Sequence, residues 1–444
     1  MRELKTTDIE WLGDIPVNWD IHSLKRVLSN PITDGPHETP ILYDEGIPFV
    51  SAESVKGGVI NLNYKRGYIS LEDHERFQRK VSPKKGDIFI VKSGATTGNV
   101  GLVITDQVFD IWSPLALVRG DSSIVEQEFL YYQLLSNLFR VQVEQGWSYG
   151  TQQNISMKAL GNIKVLVPPL EEQKIIIKYL HNKCTQIDTI IAKEQSVIEK
   201  LQDYRQSIIT ETVTSGLDST TNLVFSGVEW IAKIPLNWKI TRFTKSFEFF
   251  KGLNIKKTDL VDSGAGVVSY GQVHAKNNNG YSLQADIIRY VAENLIDEKS
   301  LLQEGDFVFA DTSEDLEGVG NCIHIDSSNE LYAGYHTLVA RCLDESICTK
   351  YFAFLFLTDI WRSQLRKNSN GTKVYSVTQK MFKAVSCLVP PIEEQLKIVA
   401  YLEKKCDAID RVISHKLTII DTLTEYKKSL IYEVVTGKKE VPHV

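Results

Sequence analysis

The chain has 444 residues, of which 43% are hydrophobic and 24% charged, and its formal net charge is −6. This composition is that of a folded protein with two or three ordinary domain cores, and it excludes fibrous and disordered chains. The acidic balance argues weakly against a nucleic-acid partner, which usually meets a basic domain. No apolar signal segment begins the chain. The densest apolar run, Tyr351 to Leu357, is too short to span a bilayer and predicts a buried helix.

The first 167 residues predict a mixed α/β module with a helical pattern over 126–145. Its strand-like runs are 47–50, 87–91, 115–118 and 163–167. Pro168-Pro169-Leu170-Glu171-Glu172-Gln173 then begins a long helix. Proline suits the first helical turn, and acidic residues face the positive end of the helix dipole. Gly216 predicts the helix end.

The same plan then recurs. Trp11…Ile15-Pro16…Trp19 returns as Trp230…Ile234-Pro235…Trp238, at an offset of 230 − 11 = 219 residues. The Pro-Pro pair at 168 returns at 390, at an offset of 390 − 168 = 222. Solenoid repeats run about 20–50 residues. We therefore infer a duplicated domain plus helix, with a second helix that ends near Gly437.

Both long helices predict a coiled coil. With Leu180 as an a position, Ile190, Val197 and Tyr204 fall at d positions, and the second helix repeats the pattern from Leu402, with Val412, Ile419 and Tyr426 at d. Two separate amphipathic helices, each lying on its own domain, are the alternative. The first helix leaves module one and enters module two, and the second leaves module two and ends the chain. A two-fold relation between the halves therefore requires antiparallel helices.

These patterns predict an α+β fold: two similar mixed α/β modules, separated by a long antiparallel two-helix coiled coil with pseudo-two-fold symmetry. The predicted boundaries are 1–168 for module one, 169–217 for the first helix, 218–390 for module two, 391–438 for the second helix and 439–444 for a tail.

No catalytic constellation is found. Gly94-Ala95-Thr96-Thr97-Gly98 lacks the lysine and the spacing of a phosphate loop, and no Asn-Pro-Pro-Tyr motif for methylating an amino group is present. The six cysteines and nine histidines show neither disulfide nor metal spacing. We therefore expect a binding protein of the reducing cytoplasm that holds no metal or cofactor.

The duplicated set of motifs resembles the DNA-specificity subunit of Type I restriction-modification systems. The matching features are the paired Trp…Ile-Pro…Trp openings, the paired Pro-Pro-[Leu/Ile]-Glu-Glu-Gln closings and the helix ends at Gly216 and Gly437. Gly334 to Val339 also looks like a strand of that family's target-recognition domain. The resemblance covers nearly the whole chain in the right order.

The resemblance implies that each module is a target-recognition domain reading one part of a split, asymmetric site in double-stranded DNA, while the coiled coil fixes the gap between the parts. It implies two methyltransferase subunits as partners, which bring S-adenosylmethionine and methylate adenine N6. In restriction complexes, motor-nuclease subunits join with ATP and Mg. The chain itself would be non-catalytic and would meet no membrane.

Readout of base edges needs polar side chains on loops, while Lys and Arg meet phosphates. In module one the candidate DNA-binding residues are Lys92, Ser93, Thr96, Asn99, Trp147, Tyr149, Thr151, Gln152, Gln153 and Asn154. In module two they are His274, Lys276, Asn277, Asn278, Arg366, Lys367, Asn370, Thr372 and Lys373. For the asparagine-rich stretches 277–280 and 368–371, ordinary turns are an equally good interpretation.

Two other functions stay open. A duplicated scaffold that binds two copies of a protein and no DNA would fit the negative net charge. An enzyme with a diverged nuclease or methyltransferase inside one module is the third reading. Cofactor-dependent turnover by the isolated chain would favour that enzyme, and binding of duplex DNA together with a methyltransferase partner would exclude the scaffold.

Overall fold

The computed structural model divides the chain into two compact units, unit 1 (Met1–Gln195 with Leu417–Val444) and unit 2 (Ser196–Lys416). It describes residues 2–9, 11–149, 153–218, 220–327, 329–344, 346–369 and 374–442, and for Ser148 and Tyr149 the backbone alone. Each unit therefore joins one module to half of each long helix. The exact module boundaries stay a prediction.

Unit 1 is built on a six-stranded sheet of order β4-β12-β9-β10-β7-β6, beside a three-stranded sheet of order β11-β5-β8. Its strands are β1 (Leu4–Lys5), β2 (Ile15–Pro16), β3 (Asp20–Ser23), β4 (Thr33–Asp34), β5 (Ile47–Val50), β6 (Val55–Lys56), β7 (Val59–Ile60), β8 (Gly67–Ile69), β9 (Ile88–Val91), β10 (Val100–Leu102), β11 (Asp110–Ile111), β12 (Leu115–Val118), β13 (Ser148–Tyr149), β14 (Gln153–Asn154) and β15 (Lys164–Val167). Its helices are α1 (Leu71–Gln78), α2 (Gln127–Leu135), α3 (Asn137–Gln145), α4 (Met157–Asn162) and the first part of α5 (Leu170–Ser215).

Unit 2 has two four-stranded sheets, of order β19-β27-β23-β25 and β20-β22-β21-β26. Its strands are β16 (Leu223–Val228), β17 (Ile231–Pro235), β18 (Lys239–Arg242), β19 (Phe247–Lys251), β20 (Leu260–Val261), β21 (Ala265–Val268), β22 (Arg289–Val291), β23 (Phe307–Ala310), β24 (Thr312–Ser313), β25 (Cys322–His324), β26 (Leu331–Ala333), β27 (Thr337–Cys342), β28 (Tyr375–Ser376) and β29 (Ser386–Val389). Its helices are α6 (Phe243–Ser246), α7 (Tyr270–Val273), α8 (Thr349–Phe356), α9 (Asp359–Arg366), α10 (Gln379–Phe382) and the first part of α11 (Ile392–Val435).

The central strands of the two units pair in the same register. Ile90 faces Ala116 across β9 and β12, and Phe309 faces Leu338 across β23 and β27. The repeat offsets of 219 and 222 map one pair onto the other. All of β9, β12 and β23 is buried, because these strands carry apolar residues on both faces.

A buried ion pair anchors this sheet in each unit. Arg119 grips Asp87 with two hydrogen bonds of 2.6 and 2.7 Å, and Arg341 grips Asp306 with bonds of 2.9 and 2.7 Å. Both carboxylates are 1% exposed. A buried carboxylate needs such a partner, because an unpaired charge is costly to remove from water.

Paired glutamines hold the last strand of each module. Gln142 receives the amide N–H of Lys164 and donates to its carbonyl, while Gln364 does the same for Ser386. These bonds satisfy the backbone groups of β15 and β29 on the side that no strand covers.

The long helices run antiparallel. Unit 1 takes the first half of α5 with the second half of α11, and unit 2 takes the other halves. In unit 1, Lys427 donates to Asp188 at 2.6 Å, and in unit 2, Arg205 donates to Asp410 at 2.7 Å. Helices that pair half by half in this crossed order have opposite directions.

The predicted coiled-coil register is wrong at its d positions. Ile190, Val197 and Tyr204 are 43, 39 and 53% exposed, and Val412, Ile419 and Tyr426 are 41, 41 and 49% exposed. The buried side of each helix runs through the predicted a residues and the residues four positions later, such as Leu180 with Cys184 and Leu402 with Cys406. A spacing of three or four residues returns to the same face of a helix, so the sequence left both choices open.

Two further details correct the predicted elements. The helix expected over 126–145 is two helices, because the backbone of Ser136 is extended between α2 and α3. The strand expected from Gly334 begins only at Thr337, since 334–336 forms the turn before β27. The buried helix predicted from the apolar run after Tyr351 is confirmed as α8.

Candidate nucleic-acid interface

The two candidate segments of module one meet at the end of β9. Ser93 and Asn154 form an antiparallel bridge, and the N–H of Gly94 donates to the carbonyl of Gln153 at 3.0 Å. The N–H of Ile155 donates to the carbonyl of Lys92 at 2.9 Å. Residues about sixty positions apart in the sequence therefore form one edge, with Gln153 and Asn154 exposed to solvent.

Lys92 directly follows β9 at the start of this edge, and the carboxylate of Asp34 neutralises its charge. Its Nζ contacts Asp34 Oδ2 at 2.7 Å, and the two side chains are 15 and 10% exposed. Lys80 also donates to Asp34, at 2.7 Å. Burial raises the pKa of Asp34, but hydrogen bonds from Lys80 and Lys92 outweigh it and hold that pKa below its usual range.

The turn after Lys92 presents Thr96 and Asn99 to solvent. Gly98 adopts a φ of 89° in this turn, which favours glycine. Arg140 donates to the carbonyl of Thr97 at 3.0 Å, and its guanidinium carbon lies 5.5 Å from the Trp147 ring centre. Trp147 thus packs against the arginine that binds the turn, and its buried Nε1 has no partner among the described residues.

Unit 2 repeats this join with different side chains. Thr312 and Ser313 pair with Ser376 and Tyr375, and the N–H of Val377 donates to the carbonyl of Asp311 at 2.7 Å. Asp311 stands where unit 1 has Lys92, at the offset of 219. The two units share the backbone pairing at this strand end, whereas the charge of the residue that follows the central strand is reversed.

The asparagine-rich candidates of module two take part in a turn. Asn278 donates to the carbonyls of Val273 and Cys322, at 2.8 and 3.1 Å, and accepts from the N–H of Gly280. Asn277 donates to Asp286 at 2.6 Å. These bonds give both side chains a structural role, while Lys276 beside them is exposed.

His274 joins that turn to the β24 edge. One ring nitrogen lies 3.0 Å from the carbonyl oxygen of Thr312, and the other lies 3.2 Å from Nδ2 of Asn321. Its ring packs 4.8 Å from that of Tyr270. The histidine is therefore only half-buried at the interface and fixed in place on both sides.

Arg366 and Lys367 lie at the end of α9. Arg366 donates to Asp359 at 2.8 Å and to the carbonyl of Glu317 at 2.9 Å, while its buried Nε has no partner among the described residues. Lys367 contacts Glu229 at 2.7 Å in a solvent-exposed pair, which is weak and easily exchanged. Five candidates, Thr151, Gln152, Asn370, Thr372 and Lys373, and the side chain of Tyr149 lie outside the described residues.

Three residues at these edges escaped the sequence analysis: Asp34, Asp311 and His336. The Nδ1 of His336 lies 3.2 Å from Asp311 Oδ1. His336 also has a φ of 53°, the one positive φ outside glycine in the part of the chain that the structure describes. The aligned repeat, in which Asp311 replaces Lys92, was the available signal for Asp311.

Across the described ranges, no group of three or more His, Cys, Asp or Glu side chains is placed to hold a metal ion. No helix of that same part of the chain is long and apolar enough to cross a membrane.

Comparison with known proteins now defines the class. The family model of the Type I restriction modification DNA specificity domain matches residues 31–200 and 235–423. The chain is similar to the EcoKI specificity subunit of Escherichia coli K12, at 23% identity over 93% of this chain and 88% of that protein. It is also similar to the MjaVIII specificity subunit of Methanocaldococcus jannaschii, at 20% identity over 91% of this chain and 89% of that protein.

Among solved structures, the fold matches a chain from work on complex assembly and conformational transition of the type I R-M system. The TM-score is 0.68 at 15% identity, and the match covers 96% of this chain and 99% of that chain. Since the two segments that the family model matches together cover most of the chain, the protein belongs to the Type I restriction-modification DNA specificity family. Its role is DNA sequence specificity, and it is a non-catalytic component.

Proposed function

We propose that the chain reads a bipartite, asymmetric site in double-stranded DNA, one part with each unit, and positions methyltransferase subunits on it. One observation carries this proposal. The two units share the same strand-end frame, and the polar side chains on that frame differ, as Lys92 and Asp311 show. Readers that share a scaffold and differ at its loops are suited to two different half-sites.

The net charge of −6 does not oppose this function. Base-edge readout depends on hydrogen-bonding side chains, and exposed ones lie together in unit 1 at Thr96, Asn99, Gln153 and Asn154. Phosphate contacts need only local cations, such as Lys276 and Lys367, which are exposed in unit 2. The carboxylates of the scaffold, including Asp87 and Asp306, are buried in ion pairs and contribute little to the outer field.

Methyltransferase subunits are the partners that the helices suit best. The outward apolar stripe leaves Tyr204 in unit 2 and Tyr426 in unit 1 about half exposed, at 53 and 49%. Uncovered apolar side chains in a row are typical of a protein-docking face. In this proposal two methyltransferase subunits bring S-adenosylmethionine, and motor-nuclease subunits bring ATP and Mg to a restriction complex. The chain binds none of these cofactors and works in the cytoplasm with its DNA.

The first experiment maps methylated sites. The chain is expressed with its methyltransferase partner, and methyl-adenine positions are read across a genome that lacks other methylases. We expect a split site with two defined halves. Exchange of residues 20–160 for the same module of a relative should change one half alone. A simultaneous change of both halves would show that the units do not read independently.

A second experiment tests docking on the helices. Tyr204→Glu and Tyr426→Glu should each lower co-purification of the methyltransferase at least tenfold, because a buried charge opposes the interface. Gln202→Glu, an exposed polar position on the same helix, is the control and should leave co-purification unchanged. Full co-purification with both tyrosine variants would exclude this face.

The length of α5 tests the spacer. A seven-residue insertion beside Lys200 keeps the heptad phase and lengthens the helix by about 10 Å. Duplex DNA rises about 3.4 Å per base pair. We expect the same half-sites with about one to three more base pairs between them, and an active variant with an unchanged spacer would show that α5 does not set the spacer length.

The alternative function, a protein scaffold without DNA readout, has its own outcome. It would be supported by a chain that recruits methyltransferase yet binds no duplex DNA.

A further inference from the structure

The ends of the central strands hold the sharpest difference between the units. In unit 1 the N–H of Lys92 donates to the carbonyl of Pro114 at 2.8 Å, and in unit 2 the N–H of Asp311 donates to the carbonyl of His336 at 3.1 Å. The repeat offsets of 219 and 222 map Lys92 onto Asp311 and Pro114 onto His336. One backbone bond is therefore kept, while both side chains that surround it are exchanged.

The neighbouring edge strand reverses its charge as well. Asp34 of β4 faces Ala116 of β12, and Lys251 of β19 faces Leu338 of β27. Ala116 and Leu338 are equivalent at the offset of 222, so Lys251 occupies the place of Asp34. Unit 1 thus carries an acid and a base at these two positions, and unit 2 carries a base and an acid.

The two arrangements differ in what they offer to solvent. In unit 1 the ammonium of Lys92 and the carboxylate of Asp34 lie 2.7 Å apart, and the two side chains are 15 and 10% exposed. In unit 2 the side chains of Asp311 and His336 are 37 and 61% exposed. Asp311 Oδ2 accepts no hydrogen bond from the residues that the structure describes. The charged side chains at this strand end are therefore largely buried against each other in unit 1, whereas in unit 2 they are accessible to solvent.

The backbone of His336 supports a functional reading. Its φ of 53° lies in the left-handed region, where a side chain with a Cβ is strained. Strained residues that persist are often found at binding sites. Pro114, its equivalent, cannot adopt that φ, because the proline ring fixes φ near −65°. The turn of unit 2 is thus shaped so that the imidazole meets Asp311.

The chemistry of the pair selects one base. A carboxylate only accepts hydrogen bonds, so Nδ1 of His336 carries the proton that it donates to Asp311 Oδ1. Asp311 Oδ2, which the imidazole does not engage, is then left as a single acceptor on a side chain that is 37% exposed, and it matches the one N4 hydrogen that a paired cytosine leaves free in the major groove. Cytosine presents an amino donor in the major groove with no acceptor on the same base, whereas adenine sets N7 beside its amino group, and guanine and thymine present acceptors there.

We propose that Asp311 and His336 determine specificity in unit 2 by reading the N4 amino group of a cytosine in a C·G pair. This inference rests on the proposed function, because it concerns one base pair of the half-site that unit 2 reads. In unit 1 the equivalent strand end carries the Lys92–Asp34 ion pair, which leaves no free acceptor for a base, so we expect no such contact in the half-site of unit 1.

The test uses the full chain in complex with its methyltransferase and a library of sites with every base pair varied. We expect the unit 2 half-site to contain a required C·G pair. Asp311→Asn should lower the preference for C·G at that pair by about 5- to 150-fold, the range of one good base contact. His336→Gly should relax the same pair, although glycine suits the backbone there.

Two controls separate a loss of base recognition from a loss of folding. Asp262→Asn changes an exposed carboxylate elsewhere in unit 2 and should leave both half-sites intact. Thermal unfolding of His336→Gly should be unchanged or occur at a higher temperature. Wild-type preference in both Asp311→Asn and His336→Gly, or relaxation at a pair other than C·G, overturns the inference. A wild-type complex that methylates no split site would overturn the proposed function itself, which is a different result.

Discussion

The central sheets of the two units differ in chemistry while keeping the same register. In unit 1, β9 contributes Ile88 and Ile90 to the core, and in unit 2 the equivalent positions of β23 hold Phe307 and Phe309. Unit 2 surrounds these rings with further aromatics, and the ring centre of Phe243 lies within 6.4 Å of those of six other aromatic side chains, Phe309 among them. The core of unit 1 is filled mainly by aliphatic side chains.

This difference separates what the fold requires from what it tolerates. The kept features are directional: the Arg–Asp pairs, the glutamines that bind β15 and β29, and the ladder registers. The varied features are apolar volume in the core and polar chemistry at the strand ends. Cores accept changes of side chain when the total volume is preserved, whereas a buried polar group needs its particular partner.

The largest expected effect tests the shared ion pairs. Arg119→Ala and Arg341→Ala each leave a carboxylate that is 1% exposed without its partner. Loss of one member of a buried pair costs about 3–5 kcal/mol. Urea unfolding should show similar losses for the two variants, while Arg289→Ala, on an exposed arginine, should change stability by less than about 0.5 kcal/mol. Unequal losses in the two units would show that the pairs are not equivalent.

The next effect concerns the corrected coiled-coil register. Ile187 is 6% exposed and Ile190 is 43% exposed on the same helix of unit 1. Ile187→Ala should lower the free energy of unfolding by about 2–4 kcal/mol, because it leaves a cavity in the seam. Ile190→Ala should cost less than about 0.5 kcal/mol in the isolated chain. Equal losses would return Ile190 to the seam.

A pH effect should distinguish unit 2. His324 replaces Leu102 of unit 1, and burial, reinforced by the charge of Lys350, lowers the pKa of His324 to about 4. The unfolded chain binds a proton near pH 6.5, which the folded unit excludes until about pH 4. The contribution of His324 to the free energy of unfolding is therefore complete above about pH 6.5, and it falls by about 2–3 kcal/mol as the pH drops to about 4.

The matched variant is His324→Leu, which copies unit 1. Urea unfolding at several pH values should show a smaller loss between pH 6.5 and 4 than in the wild type. An unchanged pH profile would mean that other groups dominate the acid sensitivity.

The smallest effects separate two neighbours in one turn. Asn278→Ala removes three hydrogen bonds of the turn and should cost about 1–2 kcal/mol of stability without changing the DNA sequence read. Lys276→Ala should leave stability within about 0.5 kcal/mol and lower the salt dependence of DNA binding by about one phosphate contact. Sequence selection lost in Asn278→Ala, with folding intact, would reverse these roles.

Sequence reasoning predicted one part of the candidate site and missed another part. Sequence reasoning identified the two segments of module one that meet at Ser93 and Asn154, because polar residues cluster around both. It could not show that Asn278 is used by its own turn, since the carbonyl of Cys322, which it binds, is distant in the sequence. Nor could it find the contact of His336 with Asp311, which joins residues on different strands.

The sequence by itself determined the duplication, the family, the element types and the two long helices, because these follow from repeated motifs and local periodicity. Tertiary structure decided which side of each helix is buried, since the sequence offers two apolar stripes and only packing selects between them. It also decided that Lys92 is neutralised by Asp34 while Asp311 stays open. Such pairings depend on which strands become neighbours, and strand neighbours are fixed by the folded sheet rather than by proximity along the chain.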